Sequence, residues 1–261
     1  MHSRIFETHA HYEDEKYDTD REALIASLPE HNIEYVINVG SSLETTQKSI
    51  ALAEQYDFIY AAVGVHPSDV AELNEENFKE LEQAADFKKT VAIGEIGLDY
   101  YWDNEQEVQE NQRFWFRRQL ALAKEKDLPV IIHSRDAAED TMQILKETPM
   151  REEPGVIHCY SYSVEMAREF VKMGYYIGVG GVVTFKNAKK LRAVVEEVPL
   201  TRMLLETDCP YMAPEPHRGE RNCSLFIPYI VEKIAEIRNI STEEVLQTTN
   251  TNAKKLFARV N

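Results

Sequence analysis

The run TVAIGEIG, residues 90–97, is apolar except for Thr90 and one carboxylate, Glu95, near its end. Its Val and Ile content and its Gly boundary are those of a buried parallel strand. Side chains alternate along a strand, so Val91, Ile93 and Glu95 are expected on one face, with the carboxylate above an apolar layer. Similar runs lie on either side: RIFET (4–8), EYVINVG (34–40), FIYAAVGV (58–65), LPVIIHS (128–134), PGVIHCY (154–160), YYIGVGGV (175–182) and RMLLETD (202–208).

Between these runs the apolar residues recur at helical spacing. The segments are 20–28, 43–56, 75–85, 107–127, 163–174, 187–198, 224–239 and 241–259. Asp20 and Ser163 mark helix starts, and Gly174 marks a stop. Eight strand candidates alternating with helices predict an α/β fold, a (β/α)8 TIM barrel, as a single domain over 1–261. The competing doubly wound sheet calls for a GxGxxG turn after an early strand, and the sequence has none.

Hydrophobic residues make up 43% of the chain and charged residues 28%, a globular balance with ample core. The net charge of −16 argues against broad phosphate neutralisation by the surface. It leaves room for a local site whose positive charge comes from bound cations. Three cysteines without a CxxC pair point to a reducing compartment. The opening MHSRIFETHAH has no apolar h-region, and no apolar run reaches the roughly 18 residues of a membrane span. A cytoplasmic location, no membrane and no stable protein partner are expected.

Barrel enzymes work at the C-terminal ends of their strands. There the first run meets His9 and His11, the third leads to His66, the fourth ends in Glu95, the fifth in His133, the sixth in His158 and the eighth in Asp208. Ile5, Glu7, His9 and His11 are expected on one face, as are Leu204, Glu206 and Asp208. Singly, each polar residue has an ordinary explanation as a core histidine, a solvated carboxylate or a turn former. Coincidence fails when imidazoles or carboxylates mark the same end of five of eight strands. His2 and His31 read as surface residues, and His66 and His217 as loop residues on the functional face.

Four imidazoles and two carboxylates suit Zn, Mn, Ni or Fe, and Mg more weakly. Six donors exceed one open site and fit two divalent ions about 3.5–4 Å apart with a bridging carboxylate. There is no GxSxG elbow and no GxxxxGK[ST] loop. Cys159 and Cys209 read as structural.

The motifs THAH (8–11), AAVGVHP (61–67), AIGEIGLDYY (92–101), PVIIHSRDA (129–137), GVIHCYS (155–161), YIGVGGVVTFKNAKKLR (176–192) and LLETDCPYMAPEPHRGERN (204–222) run almost end to end. In order and spacing the chain resembles the TatD-type metal-dependent deoxyribonucleases, a branch of the amidohydrolase-like barrels. The resemblance implies that His9, His11, Glu95 and Asp208 surround one metal. It implies that Glu95 bridges to a second, held also by His133 and His158, and that Asp208 is the general base. Two positions depart from the family pattern. Glu7 stands where Asp is common, and its expected role is to orient His9. Tyr162 stands where Gly is common, and it either narrows the mouth or stacks on a base, or is exposed and idle.

For phosphate, the candidates are His66, Arg135, His217, Arg218 and Arg221. Tyr100, Tyr101 and Trp102 either wall a nucleobase or pack under the next helix. The expected activity is hydrolysis of DNA, single-stranded or at strand ends, with two divalent metal ions (Mg, Mn, Zn or Ni). The alternatives are a metal-dependent hydrolase of a small amide, lactone or phosphoester, and a non-catalytic metal-stabilised binding module.

Overall fold

A computed structural model describes residues 4–260, so His2 lies outside the described residues. The strands are β1 (Ile5–Ala10), β2 (Ile33–Val39), β3 (Ile59–Val63), β4 (Thr90–Asp99), β5 (Val130–Arg135), β6 (Gly155–Ile157), β7 (Tyr176–Val179) and β8 (Met203–Leu205). They pair in chain order, every pair parallel. Past the end of β8 the chain returns to β1. The Asp208 N–H donates to His9 O and the His11 N–H to Cys209 O, both at 2.9 Å. The architecture is a (β/α)8 barrel.

The helices are α1 (Arg21–Ser27), α2 (Leu43–Gln55), α3 (Phe78–Ala85), α4 (Gln106–Glu125), α5 (Ala138–Glu147), α6 (Val164–Lys172), α7 (Lys189–Glu197), α8 (Ile227–Arg238) and α9 (Thr242–Leu256). Ser42, Ser163 and Ser241 cap α2, α6 and α9 by accepting from backbone N–H groups of the first turn. Helix α5 lies outside the helical segments expected from sequence. Ala137 at its start makes no side-chain cap, so the usual opening signal is missing. Among the described residues no helix is long and apolar enough to cross a membrane.

The barrel interior is filled by Phe6, Ile37, Val39, Tyr60, Ala62, Val91, Ile131, Val156, Tyr176 and Leu204. From α9, Ala253, Leu256 and Phe257 pack into the same cluster. The helix-facing layer holds Ile5, Val36, Ile93, Val130, Ile132, Ile177 and their helix partners. Each buried Leu or Ile contributes roughly 1.5–3 kcal/mol, and Leu204→Ala would cost about 2–5 kcal/mol through the void it leaves.

This inventory decides which side chains reach the mouth. Alternation holds on β5, β6 and β8: interior Ile131, Val156 and Leu204 are followed two residues later by His133, His158 and Glu206. It fails on β1 and β4. Phe6 belongs to the interior while Ile5 faces the helices, and Val91 is interior while Ile93 faces the helices. The expected single faces Ile5/Glu7/His9/His11 and Val91/Ile93/Glu95 are therefore split. Both strands carry register shifts that span their functional residues, between Glu7 and Ala10 around His9 and between Ile93 and Ile96 around Glu95, and a shift of one residue exchanges faces.

Candidate metal centre

The six strand-end side chains converge: His11, Glu95, His133, His158 and Asp208 line a cavity of about 920 Å³, and His9 is buried against them. His9 Nε2 lies 3.0 Å from His11 Nε2 and 3.5 Å from both Glu95 Oε2 and Asp208 Oδ1. His11 Nε2 is 3.4 Å from Asp208 Oδ1 and 3.8 Å from Glu95 Oε2. The other oxygen of Glu95, Oε1, lies 2.9 Å from both His133 Nδ1 and His158 Nε2. One carboxylate thus turns its two oxygens to two clusters, His9/His11/Asp208 and His133/His158.

The surroundings fix which ring nitrogens face the centre. His11 Nδ1 is 2.8 Å from the Val39 carbonyl oxygen, an acceptor only, so it donates there and turns Nε2 toward Asp208 and Glu95. His133 Nε2 meets Asp99 Oδ2 at 3.1 Å, which turns Nδ1 toward Glu95 Oε1 at 2.9 Å. Rings aimed inward by outer acceptors, with a proton to release when a cation binds, are what imidazole ligands need. The sets His9/His11/Asp208 and Glu95/His133/His158 each bring one donor atom per residue within 4.8 Å of the others. Donor chemistry and ring orientation both fit divalent metal.

Charge follows the same geometry. Burial works to neutralise Glu95, but His158, His133 and His9 hold it well below the usual carboxylate range. Burial also acts on Asp208, and His11 leads the groups that keep it ionised. Burial drives His9 down to about 4. Burial opposes the charging of His158, yet the Glu95 carboxylate lifts it to about 9.

Below the clusters lie three side-chain atoms without a hydrogen-bond partner among the described residues: His9 Nδ1, His158 Nδ1 and Glu206 Oε2. Their residues form a third close group. Glu206 Oε1 accepts from the Cys159 N–H at 2.5 Å and lies 3.7 Å from His158 Nδ1. Burial raises Glu206 to about 7. A Cβ on Gly178 would come within 2.4 Å of Glu206 Oε2, so that glycine makes the room this carboxylate occupies. Sequence reading placed Glu206 on the right face without a role, and passed over Asp99 and Glu13. Asp99 follows Glu95 and Gly97 at strand spacing, which is the signal that reveals it. Glu13 Oε1 lies 3.4 Å from His11 Nδ1 and has no comparable signal.

Glu7 departs from its expected role. Its carboxylate accepts from the His9 and Thr207 N–H groups at 3.1 and 2.9 Å and from the Thr207 and Ser224 hydroxyls at 2.7 and 3.0 Å. It ties β1 to the segment after β8 and orders the backbone of His9, not its ring. Burial raises Glu7 to about 8.

The rim divides the remaining candidates. His66 lines the cavity with Nε2 3.9 Å from Glu95 Oε1, and burial lowers it to about 4. Arg135 lines the cavity as well. His217 does not: its ring stacks on Phe226 at 4.1 Å and its nitrogens meet Glu220 and Tyr229. Arg218 sits over the Phe185 ring, 4.3 Å from the centroid, outside the lining. Arg221 is taken up by Asp20 through two hydrogen bonds, at 2.6 and 2.7 Å. The Tyr162 hydroxyl contacts Ser134 at 2.9 Å and accepts from the Ala137 N–H at 3.3 Å, so it joins β5 to α5 and is neither idle nor in the mouth. Cys209 is buried, whereas Cys159 lines the cavity with Sγ 3.7 Å from Met212 Sδ.

Known proteins share this arrangement of sequence and fold. Residues 6–258 match the family model described as TatD related DNase. The chain is 46% identical to the metal-dependent hydrolase YabD of Bacillus subtilis, over 98% of this chain and 100% of that one. It is 33% identical to the 3'-5' ssDNA/RNA exonuclease TatD of Cronobacter sakazakii, over 94% of each. The crystal structure of YjjV, a TatD homologue from Escherichia coli K12, superposes with a TM-score of 0.92 at 35% identity over 99% of both chains. The chain belongs to the TatD related DNase family of metal-dependent hydrolases.

Proposed function

We propose that the chain is a nuclease that hydrolyses phosphodiester bonds of DNA, single-stranded or at strand ends, as an exonuclease with two divalent metal ions. The observation that carries this reading is Glu95, whose two oxygens face two separate groups of donors. His9, His11 and Asp208 would hold one ion, His133 and His158 the other, and Glu95 both. Bound there, divalent ions would supply Lewis acidity toward a phosphoryl oxygen and a lowered pKa for water.

The chain's own groups supply the rest. Asp208, kept ionised although buried, is the base that takes the proton of the attacking water at a carboxylate oxygen. His66, neutral at physiological pH, and Arg135 hold non-reacting phosphate oxygens. Asp99 and the Val39 carbonyl hold the His133 and His11 rings in fixed orientations. Likeness to the 3'-5' ssDNA/RNA exonuclease of Cronobacter sakazakii supports the choice of nucleic acid.

The test is incubation with end-labelled single-stranded DNA and Mg or Mn. Stepwise loss of terminal nucleotides that disappears in His9→Ala and Glu95→Ala supports the reading. Turnover of a lactone or phosphotriester with inert oligonucleotides would overturn it in favour of a small-molecule hydrolase.

A further inference from the structure

Two of the most exposed large apolar side chains stand together beside the cavity. On the loop after β4, Tyr101 is 51% exposed and Trp102 68%, their rings edge to face at 4.7 Å. Such exposure is usually found on mobile loops, but this loop is pinned from below. Asp99, itself buried, accepts from the Tyr101 and Trp102 N–H groups through Oδ1 and from His133 through Oδ2. Buried Gln112 of α4 accepts from the Asp99 N–H at 3.0 Å and donates to Asp103 at 2.8 Å. The aromatic pair is held in register with a residue of the candidate metal centre.

Arg135 completes the arrangement. It pairs with Asp99 across β4 and β5 and stands two residues, about 7 Å, beyond His133. Its guanidinium lies 3.8 Å from the Tyr101 ring centroid and 5.4 Å from that of Trp102. Among the described residues it has no acidic partner, and neither do Lys189 and Lys190, the other two Lys or Arg residues lining the cavity. The acidic rim residues Glu13, Asp14 and Asp69 follow β1 and β3, whereas these cations follow β5 and β7. In a barrel ordered β1 to β8 those are opposite halves of the mouth.

We infer that Trp102, with Tyr101 and Arg135, forms a nucleobase-stacking subsite through which a single strand enters over the β4–β7 half of the rim. This rests on the nuclease reading above. A flat cation pinned on one ring, beside a second exposed ring, matches a nucleotide: base against Trp102 and its phosphate on the outward N–H groups of Arg135. The acidic half repels the same polyanion and sets the direction of approach.

The experiment crosses the protein with the strand. Single-stranded oligonucleotides with ordinary bases, or with abasic sites next to the terminal nucleotide, are hydrolysed by wild type, Trp102→Ala, Trp102→Phe and Phe114→Ala. Phe114 is an exposed aromatic of α4 that does not line the cavity. Expected is a KM at least about fivefold higher for Trp102→Ala with kcat within about twofold, most of the loss restored by Phe, and no change for Phe114→Ala. On the abasic strand the difference between wild type and Trp102→Ala should vanish. An unchanged KM, or an equal penalty on both strands, would overturn the subsite.

A second readout is independent of cleavage. The chain has two tryptophans, and Trp115 is buried. In Trp115→Phe, fluorescence of Trp102 should be quenched saturably by a phosphorothioate oligonucleotide and not by its abasic form. If no strand is cleaved by any variant, the nuclease reading fails. Base-dependent quenching would then still support the subsite, and its absence would end it.

Discussion

The two mouths of the barrel carry similar kinds of side chain in opposite states. At the N-terminal mouth, charges pair with opposite charges or with backbone. Glu153 accepts from Arg202 at 2.8 Å and from Lys255, and Glu34 accepts from Lys254 and Asn250 at 2.8 and 2.9 Å. Lys89 donates to the carbonyls of Ala53 and Tyr56. At the C-terminal mouth, nitrogen faces nitrogen at 3.0 Å, and three of the four unpartnered buried side-chain atoms among the described residues lie together. Burial without partners is costly, so a polar set that persists in this state is held for binding, whereas the paired set serves stability. The state of satisfaction separates the two ends where composition does not.

The sharpest contrast is expected at Glu95. Glu95→Ala should lower kcat by at least about a thousandfold, roughly 4 kcal/mol of barrier, while thermal unfolding of the metal-free protein changes little. Large loss of stability instead would move Glu95 to the structural class. Glu7→Ala should do the reverse, removing the acceptor of four buried hydrogen bonds and about 2–4 kcal/mol of stability in denaturant titrations.

Between these lies Glu206. Glu206→Ala should weaken Mn binding about 10- to 100-fold in calorimetric titrations, as loss of an outer partner of metal-binding histidines does. Unchanged affinity would assign it to packing alone.

At the paired mouth, burial raises the Glu153 carboxyl, but Lys255 and Arg202 hold it below its ordinary value. A depressed folded-state pKa means stabilisation that is present above the unfolded value near 4.5 and lost as pH falls through the folded value. Glu153→Gln should therefore cost roughly 1–2 kcal/mol at neutral pH, and the gap to wild type should close as pH falls below about 4.5. A gap independent of pH would mean that charge is not its source. The smallest effects are expected for His217→Ala and Arg218→Ala. Both side chains are stacked on aromatic rings outside the cavity lining, and turnover should stay within about twofold.

The contrast also explains what the sequence could convey. His133 and His158 were legible because each sits two positions beyond an interior apolar residue, Ile131 or Val156, and Asp208 as the polar group that closes the β8 run. His9 and Glu95 were legible as strand-end groups, but their faces were not, because the register shifts on β1 and β4 come from pairing with neighbours distant in sequence. Helix α5 opens without a side-chain cap, so local signals miss it. Arg221 and His217 were misplaced since loop paths, not spacing, decide that Asp20 and Phe226 receive them. Tyr162 has the same cause: its hydroxyl finds Ser134 and Ala137 only once β5 and β6 are side by side.

Crystals grown with Mn and measured at its absorption edge would test the account most directly. The account predicts two anomalous peaks about 3.5–4 Å apart flanking the Glu95 carboxylate. One peak would be bounded by His9, His11 and Asp208, the other by His133 and His158. A single peak, or peaks that leave one Glu95 oxygen uncoordinated, would contradict it.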